Sequence, residues 1–228
     1  MLVKWGSIIV KGSGKLGGHV FSSGTTGASV HTLAKARNPQ SKYQMEVRSR
    51  FTKFAQGWRD LTESQRESWY DAESTYSRPN RFGDVISLSG KNLYESLNTN
   101  RAIIGLGVLN IAPLPSEIPK NVTESAVLKV SLGRLELFGS YVDTVKYVLV
   151  GAKPLSNGTR DAGNKLRILA LGEAVNGGVR IGDVFNSYNK YVELFGVPTS
   201  NGKIFLGTYS ISASGQRSPV STVIAEIE

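Results

Sequence analysis

A glycine-rich segment, residues 11–18, has the residue types of a phosphate-binding loop but not its spacing. Such a loop needs a glycine five residues before its Gly-Lys pair and a Ser or Thr directly after the lysine, because backbone amides cradle the phosphates and the hydroxyl binds Mg²⁺. Around Gly14 and Lys15, Ile9 and Leu16 occupy those two places. We therefore interpret the segment as part of a glycine-rich arm.

The histidines and the clustered carboxylates do not form a recognisable catalytic or metal site either. His19 and His31 are the only histidines, and neither has an acidic residue at metal-ligand spacing. Glu63 and Glu67 share one face of a predicted helix, where an exposed acidic surface explains them better than a glycosidase pair. The chain has no cysteine, which excludes thiolate chemistry. We expect no catalytic residue, no metal and no cofactor, and predict a protein that is not an enzyme.

Basic residues are concentrated in the first half of the chain, which has a formal net charge of +9 overall. Residues 1–119 carry 15 basic and 9 acidic side chains, against 12 and 9 in residues 120–228. The densest cluster lies between residues 31 and 53, where Glu46 is the only acid. Such a cluster suits either a nucleic-acid backbone or an acidic protein surface, and the sequence leaves both open. Its candidate contact residues are Lys35, Arg37, Arg48 and Arg50.

Four segments must position these residues. Residues 1–38 are rich in Gly, Ser and Thr around short apolar runs, which predicts a glycine-rich arm with short strands that becomes ordered against a partner. Residues 39–109 have helical periodicity, and residues 110–120 hold three prolines, which predicts a stiff extended linker. Residues 121–228 change to strand-like runs. No apolar run reaches the roughly 18 residues of a membrane span, so we expect no membrane partner.

The helical segment, residues 39–109, is predicted to contain three helices. The first begins after an Asn38 N-cap with Pro39 at its first position. Its apolar stripe recurs at steps of three and four residues through Tyr43, Val47, Phe51, Phe54, Trp58 and Leu61. A capping box at Thr62 and Gln65 begins the second helix, which is predicted to carry Trp69, Ala72 and Tyr76 and to stop before Pro79. The third, capped by Ser89, has an apolar face of Leu93, Leu97 and Ile104.

The last segment is predicted to be a β-domain, which makes the fold class α+β. About seven short strand-like runs, among them residues 127–132, 144–150 and 191–195, are separated by Asn-Gly and Ser-Gly turns. This number and spacing of strands is typical of an immunoglobulin-like or fibronectin-like β-sandwich. The prediction rests on strand count alone, because the segment has no cysteine and no tryptophan.

The order of short motifs across about residues 6–115 resembles a family. A Gly-x-Gly-Lys-x-Gly run at 12–17 and a Val-Phe pair at 20–21 precede an Asn-Pro pair at 38–39. The later motifs are Gln44, Arg48-x-x-Phe51, Trp58, Leu61-Thr62, Gln65-Arg66, Trp69, Leu88-Ser89-Gly90 and Asn98. This order is similar to a loosely defined set of uncharacterised proteins encoded by tailed bacteriophages and prophages.

The resemblance implies a structural protein of the virion, in the neck, the tail or the capsid surface. The ring and collar proteins of crAss-like phages are one such setting. Partners implied in this way are other virion proteins, namely portal, tail or capsid components. The implied location is the virion, after assembly in the host cytoplasm. The resemblance carries over no catalytic residue.

The residues and the resemblance together predict a homo-oligomer that assembles by exchanging its arms and packing its aromatic helices between neighbouring copies. Five aromatic residues are the predicted oligomer-interface contacts: Phe21, Tyr43, Phe51, Trp58 and Trp69. Two alternatives stay open. One is a nucleic-acid-binding protein that uses residues 31–53, and the other is an adhesin whose sandwich binds glycans or a cell surface.

Overall fold

The computed structural model describes residues 2–4, 12–24, 27–35, 38–80, 82–142, 145–175, 180–181, 185–198 and 202–228. Its chain forms two compact units. The first comprises residues 1–96 and 109–114, and the second comprises residues 97–108 and 115–228. The four-segment division expected from the sequence stays a prediction.

The first unit begins with a four-stranded antiparallel sheet in the glycine-rich segment. Its strands are β1 (Leu2–Val3), β2 (Gly14–Leu16), β3 (His19–Gly24) and β4 (Gly27–Thr32), in the order β1-β4-β3-β2. Gly17, with φ +55°, lies in the turn between β2 and β3, a conformation that glycine adopts without strain. Among the described residues from 3 to 35, every side chain is half-buried or exposed. The sheet therefore has no enclosed core of its own there.

Helices α1 (Lys42–Asp60) and α2 (Glu63–Asp71) follow, and two of their predicted ends need correction. Ser41, not Asn38, is the N-cap of α1, and its hydroxyl accepts a hydrogen bond from the Gln44 amide at 3.4 Å. The capping box of Thr62 and Gln65 is confirmed. However, α2 ends at Asp71, so Tyr76 lies in the turns beyond it. The chain continues through β5 (Arg78–Pro79), β6 (Val85–Ile86) and α3 (Gly90–Ile103).

The core of the first unit is aromatic. The rings of Trp58, Trp69 and Tyr94 meet at centroid distances of 5.5 Å (Trp58–Tyr94) and 5.3 Å (Trp69–Tyr94). Such tilted and edge-on pairs add to the stabilisation from burial. Gly90 lets the start of α3 approach this core closely, because a Cβ there would lie 2.9 Å from the Trp69 carbonyl carbon. The Gly90 amide donates to the Glu73 carboxylate at 2.6 Å, which caps α3.

The second unit is built on an eight-stranded sheet in the order β13-β12-β9-β10-β11-β8-β7-β14. Its pairs are antiparallel except β14 with β7. The two end strands follow each other directly in the chain, separated by Ala225 alone. One stretch thus hydrogen-bonds to both edges, and the sheet closes on itself. Its elements are β7 (Asn121–Lys129), β8 (Arg134–Tyr141), β9 (Lys146–Gly151), β10 (Arg167–Val175), β11 (Arg180–Ile181), α4 (Phe185–Phe195), β12 (Phe205–Ser210), β13 (Ser221–Ile224) and β14 (Glu226–Ile227).

Helix α4 corrects the predicted strand at residues 191–195. Tyr188, Tyr191 and Phe195 recur at steps of three and four residues, so that one helix face carries all three. Tyr188 and Tyr191 are buried in the enclosed core of the sheet, together with Leu128, Leu137 and other residues of its strands. Residues 191–195 taken alone predict a strand, because Tyr, Val and Phe favour strands and five residues are too few to show the helical period.

Strand β9 is buried on both of its faces. Tyr147 and Leu149 point into the enclosed core, while Val148 and Val150 belong to a second cluster on the outside. Ile104, just after α3, is part of that outer cluster.

The described chain combines four α-helices with several β-sheets, so the α+β class is confirmed. The immunoglobulin-like or fibronectin-like topology stays a prediction.

Candidate functional site

The five predicted interface residues fall into three different environments. Trp58 and Trp69 are buried in the aromatic core of the first unit, with 8% and 0% of their surface exposed. Phe21 in β3 and Tyr43 in α1 are half-buried. Phe51 is 54% exposed, although it lies on the same helical stripe as Trp58. Of the five, Phe51 is therefore the side chain most available to another molecule.

The apolar stripe of α1 is buried along its second half, whereas Val47 and Phe51 in its first half are exposed. Phe54, Trp58 and Leu61 at the carboxyl end of the stripe are buried. Val47 and Phe51, two turns and one turn before Phe54, are 42% and 54% exposed. The periodicity extends over the whole helix, but the described residues of the chain bury only its second half. The sequence could not show this, because a stripe reads the same whether or not a neighbour covers it.

The basic residues of α1 do not form one face. Arg48 and Arg59 are eleven residues apart, about three helical turns, so they share one flank. Lys42 and Lys53 have the same separation and occupy the opposite flank. Arg48 is exposed and Arg50 is half-buried. The helix thus presents two separate basic edges on either side of the apolar stripe.

The two remaining members of the predicted basic contact set lie before α1. Lys35 is exposed, in the segment that follows β4. Arg37 lies outside the described residues. The structure therefore brings no three members of the set together on one surface among the residues it describes.

The amino-terminal sheet has one more apolar face. Phe21 of β3 is paired with Val30 of β4 and with Gly14 of β2, and residues paired directly across strands share a face. Leu16, which lies two residues from Gly14 along β2, is on the same face and is 72% exposed. The opposite face carries the Ser22 and Ser29 hydroxyls, 2.7 Å from each other, together with Lys15, Val20 and His31. The sequence predicted short strands here but not which of their side chains share a face.

The histidines do not share a binding position. His19 is paired with Thr32 and His31 with Val20, at adjacent register positions of β3 and β4. Because successive residues of a strand point to opposite faces, the two imidazoles lie on opposite sides of the sheet. Within the described residues, no group of three or more His, Asp or Glu side chains is placed to hold a metal ion.

A buried hydroxyl network lies where β7 meets β12 in the second unit. The Thr123 and Thr208 hydroxyls are 2.9 Å apart, and Tyr141 donates to the Thr123 hydroxyl at 3.0 Å. Burial raises the pKa of Tyr141, partly offset by its hydrogen bonds to the threonines. Asn121 completes the network through its contacts with Thr208. Since each hydroxyl has a partner, the network serves to hold two strands together.

Comparisons with protein-family models, with curated proteins and with solved structures gave no match to this chain. No helix among the described residues is long and apolar enough to cross a lipid bilayer.

Proposed function

We propose that this protein is a non-enzymatic structural component of a bacteriophage virion, which forms a symmetric assembly of its own copies. The observation that carries the proposal is the amino-terminal sheet, in which no described residue from 3 to 35 is buried. Hydrophobic burial is the main stabilising contribution to a small sheet, so a sheet without it needs a neighbouring surface. In a closed assembly, the adjacent copy supplies that surface.

The exposed apolar residues in the first half of α1 support the same proposal. Val47 and Phe51 expose apolar surface next to Arg48, and aromatic residues with arginine are enriched at protein interfaces. Two surfaces of the first unit thus have the properties of contact surfaces, the apolar face of its sheet and the start of α1. The proposed settings are a neck, collar or tail ring, or the capsid surface, with portal, tail or capsid proteins as further partners.

For the second unit we propose a role as a folded module within that assembly, in which opposite strands of the closed sheet pack against each other like the two layers of a sandwich. The Thr123–Thr208 hydroxyl contact at 2.9 Å and the Tyr141–Tyr147 ring pair at 5.1 Å support close packing of opposite strands. An immunoglobulin-like or fibronectin-like topology is the finer form of this proposal. An experimentally determined structure of the chain would test that topology strand by strand.

Sedimentation velocity on the purified chain tests the assembly. We expect a discrete multimer for the full chain, and a shift to monomer when residues 1–38 are deleted. Circular dichroism of the deleted chain should retain the signal of the other elements, which separates lost assembly from lost folding. Amide hydrogen exchange should be fast at residues 12–32 in the dilute monomer and slow in the multimer. A full chain that stays monomeric up to its solubility limit, with these residues protected, would overturn the proposal.

The nucleic-acid alternative has a different signature. A monomer that binds DNA with an affinity that falls steeply as salt is raised would favour it. Substitution of Lys35 and Arg48 by Gln should then weaken binding for every DNA sequence, since phosphate contacts carry no sequence information.

A further inference from the structure

We propose that an exposed surface in the first half of α1 docks on the acidic outer face of α2 in the neighbouring copy. This inference rests on the proposed assembly and specifies two of the surfaces that meet in it. Its starting point is a basic-apolar surface formed by Val47, Arg48 and Phe51. Val47 and Phe51 are one turn apart, and Arg48 lies three residues before Phe51, so the three side chains are neighbours on the helix. All three are exposed.

The second surface is an acidic surface on α2, formed by Glu63, Glu67, Tyr70 and Asp71. Spacings of four, seven and eight residues place these side chains on one side of the helix. All four are exposed, and Tyr70 shows 49% of its surface. Glu63 already contacts Arg66 at 3.3 Å, whereas neither Glu67 nor Asp71 forms an ion pair with another described residue.

Charge selects this face of α2 over the other apolar surface of the first unit. The amino-terminal sheet and the segment after it have no acidic side chain among residues 12–24 and 27–35, so its apolar face offers Arg48 no opposite charge. Glu67 and Asp71 offer the opposite sign beside an exposed aromatic ring. Complementary charge steers association and excludes wrong partners, while the apolar and aromatic groups supply buried area. A second copy of this chain is therefore the occupant that the surface fits.

The two surfaces are different patches of one chain, so the contact between copies is head-to-tail. Each copy then offers its basic-apolar surface to one neighbour and its acidic surface to the next. Contacts of this kind close into rings when the rotation between copies allows it. A head-to-tail contact between the basic-apolar surface of α1 and the acidic surface of α2 is therefore the kind of contact that a cyclic assembly needs.

Charge reversal with complementation tests the contact. Arg48→Glu and Glu67→Arg, each made in the full chain, should each raise the dissociation constant of the assembly by about tenfold or more, because like charges then face each other. The double variant Arg48→Glu, Glu67→Arg should assemble again, since every contact between its copies joins opposite charges whatever the number of copies in the ring. Lys53→Glu is the matched control, because it makes the same charge change on the far flank of α1 and should leave assembly unchanged. Circular dichroism verifies that each variant is folded.

The outcomes separate this contact from the wider proposal. If Phe51→Ser dissolves the multimer while Glu67→Arg leaves it intact, α1 contacts a different surface and the inference is wrong, although the assembly stands. If the double variant does not assemble, the pairing of Arg48 with the α2 face is also refuted. If the wild-type chain never forms a multimer, the proposed function itself fails.

Discussion

The indole Nε1 of Trp69 donates a hydrogen bond of 2.9 Å to the carbonyl oxygen of Asn110, at the start of the proline-rich segment. Tyr76 donates its hydroxyl to the Pro113 carbonyl at 2.9 Å, and the Ala112 amide donates to the Ser68 hydroxyl at 3.2 Å. Three side chains of the first unit thus hold residues 110–113. We call residues 110–113 the strap. Because these hydrogen bonds satisfy backbone groups of the strap that would otherwise need water, the strap is part of the packed first unit and does not act only as a linker.

Releasing the strap should destabilise the first unit. The double variant Ser68→Ala, Tyr76→Phe removes two of its three hydrogen bonds while keeping the shape of the tyrosine ring. We expect a loss of about 1–3 kcal/mol in the free energy of unfolding, measured by urea denaturation, and faster proteolysis within residues 109–114. Tyr70→Phe removes a hydroxyl from an exposed tyrosine and should change stability by less than about 0.5 kcal/mol. Unchanged proteolysis in the double variant would contradict the strap.

Gly90 should not accept even a methyl group. An added Cβ would meet Tyr70 Cδ1 at 2.8 Å and the Trp69 carbonyl carbon at 2.9 Å, so α3 would have to move away from α2. Alanine favours helices over glycine, but overpacking outweighs that gain, and we expect Gly90→Ala to cost about 1–3 kcal/mol. A Cβ at Gly107 would meet no atom within 4 Å, so Gly107→Ala is the control. Equal melting temperatures of the two variants would refute this close approach.

The buried carboxylate of Glu95 depends on its lysine partner. Its side chain is 6% exposed and lies 3.7 Å from Lys91 Nζ, while its Oε1 has no hydrogen-bond partner among the described residues. Lys91→Met leaves a buried charge uncompensated and should cost about 1–3 kcal/mol, discounted because Lys91 itself is half-exposed. Adding Glu95→Met should restore most of the loss, since an apolar pair needs no compensation.

A second ion pair provides the comparison for this experiment. Lys190 and Glu193 are 3.0 Å apart on α4, where the carboxylate is 47% exposed. Lys190→Met should cost less than about 1 kcal/mol, because water screens and solvates the remaining carboxylate. A loss as large as that of Lys91→Met would show that burial of Glu95 is not what makes its lysine important. Chemical denaturation of all four chains under one buffer gives the values.

Tyr191 should make the second unit sensitive to alkaline pH. Its hydroxyl donates to the Ala152 carbonyl at 3.2 Å, and burial raises its pKa to about 12. Above the ordinary tyrosine pKa of about 10, the unfolded chain loses this proton while the folded chain retains it. The free energy of unfolding therefore falls as pH rises from about 10 to about 12, by up to roughly 1.4 kcal/mol per pH unit.

The variant Tyr191→Phe removes this ionisation. It should be less stable than the wild type at neutral pH, because the Ala152 carbonyl loses its donor, but its stability should decline less steeply above about pH 10. Urea denaturation of both chains over the alkaline range measures the two slopes. Parallel slopes would mean that another group dominates the alkaline transition.

Sequence periodicity predicted the long helices better than their ends. The stripe from Tyr43 to Leu61 identified α1, and the capping box at Thr62 set the start of α2 correctly, because both signals are local. The start of α1 was misplaced by three residues because Asn38-Pro39 is also a good turn sequence. Gln40, with φ 49°, places such a turn before Ser41.

The tertiary environment accounts for the features that the sequence did not show. Nothing in the spacing of Val47 and Phe51 reveals that they are exposed among the described residues, since exposure depends on what packs there. The helix of residues 185–195 was hidden because its strand-favouring residues are held in a helix by the burial of Tyr188 and Tyr191. The sequence predicted that the acidic residues of α2 are exposed. Their proposed pairing with α1 of a neighbouring copy could be argued only once the structure showed which residues share a face of each helix.

The closure of the sheet by residues 221–227 also constrains how the protein is made. Until that stretch has left the ribosome, β12 and β7 each have an unpaired edge, and such edges readily pair with other chains. Many copies translated from one message would then be close together while their sheets are still open. Folding of the second unit is therefore complete only after residues 221–227 have been synthesised, and chaperones that shield strand edges would favour single, correctly closed copies over mispaired ones.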